Sequence, residues 1–339
     1  MTKPVVVYTD LPWAIDRNGQ VDPARAIFER QVYGDQVELR FAPANDGRYQ
    51  LDSPEFFSLL QGAAGLVIHR CQITPEILDA CGQNLQVVGR QGVGHENLAP
   101  ELLRQRGIIG YNVPDYCIDE VATHTLALAL ALERGLVAQH NALAAGEFNI
   151  YAGGKPRRLQ NCVAGIIGFG RIGRVVCSRL KMFCREVLAC DPYVDRDVMQ
   201  AYGARQVDQQ TLLQQADIVS LHCLLSAETR GLLDATALGQ MKPTAVLINT
   251  ARGGLVDSQA LHAALSEHRI AGAGLDVFSP ENPHDDPWNQ KTVQLPNVIA
   301  TSHRAFYSDE GEHSQRRRTS ESMLHVLTTG QPPQVGQIT

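Results

Sequence analysis

Short apolar runs alternate with longer polar, helix-like stretches along almost the whole chain. Residues 5–8, 37–41, 66–68, 87–88 and 107–111 read as strands of a first set. Residues 23–32, 54–62 and the stretch opened by Thr74-Pro75-Glu76 read as helices between them, with Thr74 as cap and Pro75 at the first helical position. This alternation predicts a small parallel α/β domain. A long helix follows, from about residue 119 to 134. Its residues 121–132 are apolar nearly all round, which predicts burial between domains or at a subunit contact. Residues 135–160 carry a mixed pattern, with a loop at Gly153-Gly154-Lys155-Pro156.

A second set of strands opens at Cys162. Residues 163–167 and 187–190 flank a helix-like segment, and later strands lie within 216–223, 245–249, 270–275 and 298–301. Asp257 is placed to cap a helix running to about residue 267. A last helix, from about 309 to 328, is expected to return and complete the first domain. The expected domains are therefore 1–113 plus about 304–339, discontinuous, and about 114–303.

The stretch 162–191 is strand, glycine turn, helix, strand and acid, in the order a dinucleotide site needs. In Gly168-Phe169-Gly170-Arg171-Ile172-Gly173, Gly168 permits the tight turn and Gly170 lets a pyrophosphate approach the backbone. Gly173 lets the helix pack on the strand, and the helix N-terminus offers N–H groups to the phosphates. Asp191 follows the last glycine by 18 residues. Its carboxylate suits a ribose 2′-OH and repels a 2′-phosphate, so NAD(H) is expected over the phosphorylated form.

Composition narrows the rest. With 339 residues, 44% hydrophobic and 19% charged, the chain can fill two globular domains. A net charge of −6 argues against nucleic acid as a partner. The basic run Arg316-Arg317-Arg318 sits beside Glu310, Glu312 and Glu321 and reads as a solvated helix face. No start resembling a signal peptide is seen, and no apolar run nears the roughly 18 residues a membrane helix requires. The eight cysteines form no CxxC pair and read as reduced, buried thiols of a cytoplasmic protein, with no metal site expected.

Ligands of open parallel sheets bind beyond the carboxyl ends of the strands. Asp191, Arg252, Asp276 and His303 all stand at such ends, and Glu281 follows Asp276 closely. Hydride exchange between a 2-hydroxy acid and nicotinamide needs one acid/base at the oxygen, which histidine suits near neutral pH. It also needs a cation for the carboxylate and the developing oxyanion, which the arginine fork supplies. His303, Glu281 and Arg252 thus form an acid, its orienter and an anchor.

Gly168-Phe169-Gly170-Arg171-Ile172-Gly173, Asn249-Thr250-Ala251-Arg252-Gly253-Gly254-Leu255-Val256-Asp257, Gly274-Leu275-Asp276-Val277-Phe278 and the later His303 resemble the D-isomer-specific 2-hydroxyacid dehydrogenases. The resemblance extends to Arg90-Gln91-Gly92-Val93-Gly94-His95-Glu96-Asn97. Asp191-Pro192-Tyr193 and Leu221-His222-Cys223 are most similar to the branch holding the C-terminal binding protein corepressors and their bacterial enzyme relatives. It implies two Rossmann-like or flavodoxin-like parallel-sheet domains with a cleft between them. It implies NAD-dependent interconversion of a D-2-hydroxy acid and its 2-oxo acid, and a homodimer built partly through the 119–134 helix. Catalysis falls to Arg252, Glu281 and His303. Cofactor contacts fall to Gly168, Gly170, Arg171, Ile172, Gly173, Asp191, Cys223, Thr229, Thr250, Ala251, Arg252, Asp276 and His303, with Asp276 holding the carboxamide. Arg70, Val93, Gly94, Tyr116, Arg252 and Tyr307 are the expected substrate contacts, the backbone at Val93-Gly94 meeting the carboxylate and Arg70 a second anion. His222 and His95 are expected to be structural.

The chain departs from the family where Ser302 replaces the usual proline before the histidine and Arg304 follows it. Phe306-Tyr307 resembles the D-lactate dehydrogenase end of the family. Two other readings stand beside the 2-hydroxyacid dehydrogenase: an NAD(H)-sensing regulatory protein with weak catalysis, and an enzyme that oxidises formate or phosphite on the same scaffold.

Overall fold

A computed structural model describes residues 3–339. The chain divides into two compact units, one running up to Tyr116 and resuming at Ser308–Thr339, the other Cys117–Tyr307.

The first unit holds β1 (Val5–Tyr8), β2 (Glu38–Phe41), β3 (Ala44–Asn45), β4 (Arg48–Tyr49), β5 (Ala63–Ile68), β6 (Val87–Arg90) and β7 (Ile109–Asn112). Five of them make a parallel sheet in the order β2-β1-β5-β6-β7. Leaving out the β3-β4 hairpin, this is the flavodoxin-like order. All of β5 is buried, as expected of a parallel strand covered on both faces. The hairpin turns at Asp46 and Gly47, both at positive φ (49° and 74°), where Asp-Gly is favoured. Its strands are two residues each, too short to show a pattern. Thr74 caps the helix Pro75–Cys81 by accepting from the Ile77 N–H.

Ser308 caps the last helix, Asp309–Thr329, which packs on the helix Ile27–Tyr33 and on β5 and β6. The basic run it carries is not one solvated face. Arg317 is exposed and paired with Glu321, and Arg318 pairs with Asp115. Arg316 turns inward instead and meets a fully buried Glu29.

The second unit holds β8 (Val163–Ile167), β9 (Glu186–Cys190), β10 (Ala204–Gln206), β11 (Ile218–Leu221), β12 (Val246–Asn249), β13 (Gly272–Leu275) and β14 (Val298–Ala300). All are parallel, in the order β10-β9-β8-β11-β12-β13-β14. That is the doubly wound dinucleotide-binding order with one strand added. Asp257 caps the helix Ser258–Ser266 through the Ala260 N–H.

The helix Ile118–Glu133 buries Val121, Ala122, Leu128 and Ala129 against the helix Arg171–Leu180 and strands β12 and β13. These buried residues pack within the second unit. A further helix, Leu136–Ala144, forms in the stretch of mixed pattern; it starts at Gly135 without a side-chain cap and buries none of its residues. Leu136, Leu143, Ile150 and Tyr151 are exposed, and Phe148 is 92% exposed. All eight cysteines are free thiols, and burial pushes those of Cys71, Cys81 and Cys184 up to about 12. Among the described residues no single helix is long and apolar enough to cross a membrane.

Candidate active site

Because the seven strands of the second unit are parallel, every loop after a strand leaves from one edge of the sheet. The order reverses between β8 and β11, and a crevice at that switch point is where such sheets bind ligands. The glycine turn leaves β8 there. Gly168 has φ +93° and packs so closely on the next loop that a Cβ would lie 2.4 Å from the Cys223 nitrogen. At Gly173 a Cβ would lie 2.2 Å from the Gly168 carbonyl oxygen. Gly170 is different. Its φ of −73° suits any residue, and a Cβ would meet nothing within 4 Å. The helix it opens has no side-chain cap. Neither backbone nor packing asks for glycine at 170, whereas a pyrophosphate lying against the helix N-terminus does. These residues therefore fit a dinucleotide.

Asp191, just past β9, accepts from the Phe169 N–H (2.7 Å) with one carboxylate oxygen and from the Tyr193 N–H (2.9 Å) with the other. It ties the glycine turn and keeps lone pairs for two more donors, enough for ribose hydroxyls. The Tyr193 hydroxyl donates to Glu228 (2.6 Å), which brings a second carboxylate to this side of the turn. Arg171 is exposed, and Ile172 packs on the core of the unit. Thr229 spends its hydroxyl on its own loop, donating to the Leu224 carbonyl (2.6 Å). Burial raises the Cys223 thiol to about 11, leaving no ready nucleophile, and pushes the His222 imidazole down to about 3, so that His222 stays neutral.

The loops after β12, β13 and β14 carry the reactive groups on adjacent strands. The buried Asn249 side chain clamps the first loop, donating to the Arg252 carbonyl (2.9 Å) and accepting from the Ala251 N–H (3.1 Å). Arg252, half-buried, donates to the Ala251 carbonyl (2.7 Å). Thr250 is buried, and its hydroxyl bonds that of Thr125 (2.9 Å). His303 Nδ1 meets the Glu281 carboxylate at 2.5 Å, their side chains 28% and 42% exposed. This pairing fixes which ring nitrogen is tied down and leaves Nε2 for chemistry.

His303 stands at φ +53°, a left-handed conformation that costs a non-glycine residue about 1–3 kcal/mol and persists only where its surroundings impose it. Asp276 imposes it. Its carbonyl accepts from the His303 N–H (2.7 Å), and its carboxylate from the Arg304 and Ala305 N–H groups (2.9 Å each) and the Thr301 hydroxyl (2.5 Å). Asp276 is 0% exposed, and its carboxylate is bonded to the loop that carries His303.

In the first unit the expected residues also sit on loops at strand ends. Arg70 is exposed just past β5, Val93 and Gly94 follow β6, and Tyr116 is half-buried after β7. Tyr307, exposed, ends the second unit. Asp10, which the sequence pattern did not mark, accepts from the N–H groups of His69 (2.8 Å), Arg70 (2.5 Å) and Cys71 (2.7 Å). It holds the Arg70 loop as Asp276 holds that of His303.

Residues 126–305 match the family model described as the NAD-binding domain of D-isomer-specific 2-hydroxyacid dehydrogenases. The chain belongs to that family. It is 34% identical to the D-3-phosphoglycerate dehydrogenase of Methanocaldococcus jannaschii over 82% of its own length and 52% of the relative's. To that of Mycobacterium tuberculosis it is 33% identical over 87% of its length and 54% of the relative's. It thus spans about half the length of the curated relatives it matches. Among solved structures, the D-lactate dehydrogenase of Aquifex aeolicus complexed with NAD and lactic acid superposes with a TM-score of 0.84 at 26% identity, over 96% of each chain. An acyclic imino acid reductase in complex with NADPH and D-Arg gives 0.79 at 27%, over 99% of this chain and 100% of the other.

Proposed function

We propose that the chain is an NAD-dependent oxidoreductase interconverting a D-2-hydroxy acid and its 2-oxo acid. The observation carrying this reading is the His303–Glu281 pair, at 2.5 Å, on the loop edge that also bears Arg252 and the glycine turn. Bound nicotinamide would supply or take the hydride. His303 Nε2 would give the proton to the carbonyl oxygen during reduction and withdraw it during oxidation. Glu281 holds the ring through Nδ1. Arg252 would bind the substrate carboxylate and the developing oxyanion. NADH oxidation at 340 nm against glyoxylate, pyruvate, hydroxypyruvate, phenylpyruvate and 2-oxoglutarate tests this, with D-lactate and D-3-phosphoglycerate for the reverse direction. Turnover of at least one pair supports the proposal. NADH binding without turnover of any overturns it.

Arg70 is proposed to select substrates with a second anionic group, as the phosphate in the name of the matching D-3-phosphoglycerate dehydrogenases suggests. Arg70→Ala should then lose about tenfold or more on dianionic acids and little on pyruvate, since a charged hydrogen bond is worth about 1.5–3 kcal/mol. An unchanged ranking of acids removes Arg70 from specificity.

Asp191 is proposed to set the preference for NAD. Asp191→Ala should weaken NADH binding, through loss of ribose acceptors and of the tie to Phe169, and should narrow the NADH/NADPH ratio of dissociation constants. The Glu228 carboxylate remains beside Tyr193 to oppose a 2′-phosphate, so Asp191→Ala/Glu228→Gln should narrow it further. An unaltered ratio in both would mean that other groups read the ribose.

A second copy of the chain is proposed to cover Leu136, Leu143, Phe148, Ile150 and Tyr151, large apolar residues that are exposed and near one another in the sequence.

A further inference from the structure

We propose that His124 is a positioning residue for His303, acting through Thr301 and Asp276. Its Nε2 lies 3.0 Å from the Thr301 hydroxyl oxygen. That hydroxyl has one proton and spends it on Asp276, 2.5 Å away. Thr301 can therefore only accept from His124, which fixes the proton of the imidazole on Nε2. The same nitrogen lies 3.7 Å from the Asp276 carboxylate. The chain of donors runs from His124 to Thr301 to Asp276, and Asp276 in turn holds the backbone of residues 303–305.

His124 projects from the helix Ile118–Glu133, which is packed on β12, β13 and β14. The helix thus reaches past the strand ends and fixes the rotamer of Thr301, leaving the rest of the Asp276 carboxylate to the Arg304 and Ala305 amides. Without the donor from His124, the Thr301 hydroxyl is free to turn away from Asp276, and the one side-chain hydroxyl that holds that carboxylate among the described residues is lost. The left-handed turn at His303 then relaxes toward ordinary backbone, and the imidazole leaves its place against Glu281. Of the ways to replace the imidazole, glutamine alone keeps an N–H donor at the reach of Nε2.

Two measurements test this, and only the second rests on the oxidoreductase reading. Hydrogen exchange of a peptide spanning residues 301–307 is compared in the native protein, His124→Leu, His124→Gln and Thr301→Val. The Arg304 and Ala305 amides should exchange about tenfold or more faster in His124→Leu and Thr301→Val, with glutamine restoring protection and other peptides unchanged. The kcat on the best 2-oxo acid should fall about tenfold in the same two variants, with the NADH dissociation constant held and glutamine again restoring it. Exchange at 304–305 unaffected by His124→Leu, or glutamine behaving as leucine, overturns the proposal. Should every acid fail with the native protein, the exchange result decides alone. Should His124→Leu not fold, Thr301→Val against Thr301→Ser decides it in the same way.

Discussion

Replacing His303 by alanine is expected to lower turnover by about 10²–10⁴-fold, the range over which a positioned acid or base acts, while the NADH dissociation constant changes little. The expectation follows from how narrowly the side chain is held. Its Nδ1 is committed to Glu281 at 2.5 Å and its backbone is bent to a positive φ by Asp276. Such a residue contributes to the reaction through one atom, Nε2. Dinucleotide affinity is proposed to come from elsewhere, from the turn after β8 and from Asp191. Arg252→Ala offers the contrast, because a cation in the role proposed for Arg252, on the substrate carboxylate and the developing oxyanion, acts on ground state and transition state together. There the KM should rise and kcat fall. Steady-state kinetics with NADH fluorescence titration separates the two. Equal rates in the native protein and His303→Ala, with cofactor binding intact, would mean that another group moves the proton.

What could be read from the sequence was whatever lies within one loop or one strand end. The glycine turn declares itself by spacing, Arg252 and His303 by falling just after apolar runs, and Glu281 by following Asp276 closely. The holding groups could not be read, because each joins positions far apart in the chain. His124 and Thr301 are 177 residues apart, and Asp10 reaches 61 residues to the Cys71 amide. A lone histidine on an apolar helix and an aspartate after a first strand carry no local sign of what they bond. Asp276 was legible as a residue of the site but not in its partners, since only the fold shows that its carboxylate faces inward to the Arg304 and Ala305 amides. The helix Leu136–Ala144 escaped for another reason: without a cap and with no buried face, it lacks both marks by which a helix is read. Arg316 shows the same limit. Its pairing with Glu312, one helical turn away, is visible in the sequence, while Glu29 lies 287 residues off.

Glu29→Ala is expected to destabilise the first unit by about 3–5 kcal/mol, the cost of removing one partner from a buried ion pair. Arg316 and Glu29 form a two-point contact, Nε to Oε1 at 2.9 Å and Nη2 to Oε2 at 2.8 Å, with side chains 6% and 0% exposed. The guanidinium also lies over the Trp13 ring, 3.8 Å from its centre, and over Phe28 at 4.7 Å. With Glu29 gone, Glu312 and the Arg25 carbonyl still bond the cation, but the aromatic rings keep water from its other side. Glu29→Met/Arg316→Met should cost less than the single change, because it leaves no buried charge behind. Chemical denaturation followed by tryptophan fluorescence reads this, Trp13 reporting on the first unit and Trp288 on the second. A loss of under about 1 kcal/mol in Glu29→Ala would show that Arg316 regains water when its partner is removed, as exposed pairs do. The effect should reach the loop after β6 as well, since the Trp13 indole N–H is bonded to Gln91 at 2.8 Å. A Trp13 ring displaced as the unpaired guanidinium over it shifts toward Glu312 and the Arg25 carbonyl would loosen the backbone at Val93-Gly94, the segment expected to meet the substrate carboxylate. KM for a 2-oxo acid should therefore rise in Glu29→Ala even under conditions where the protein remains folded.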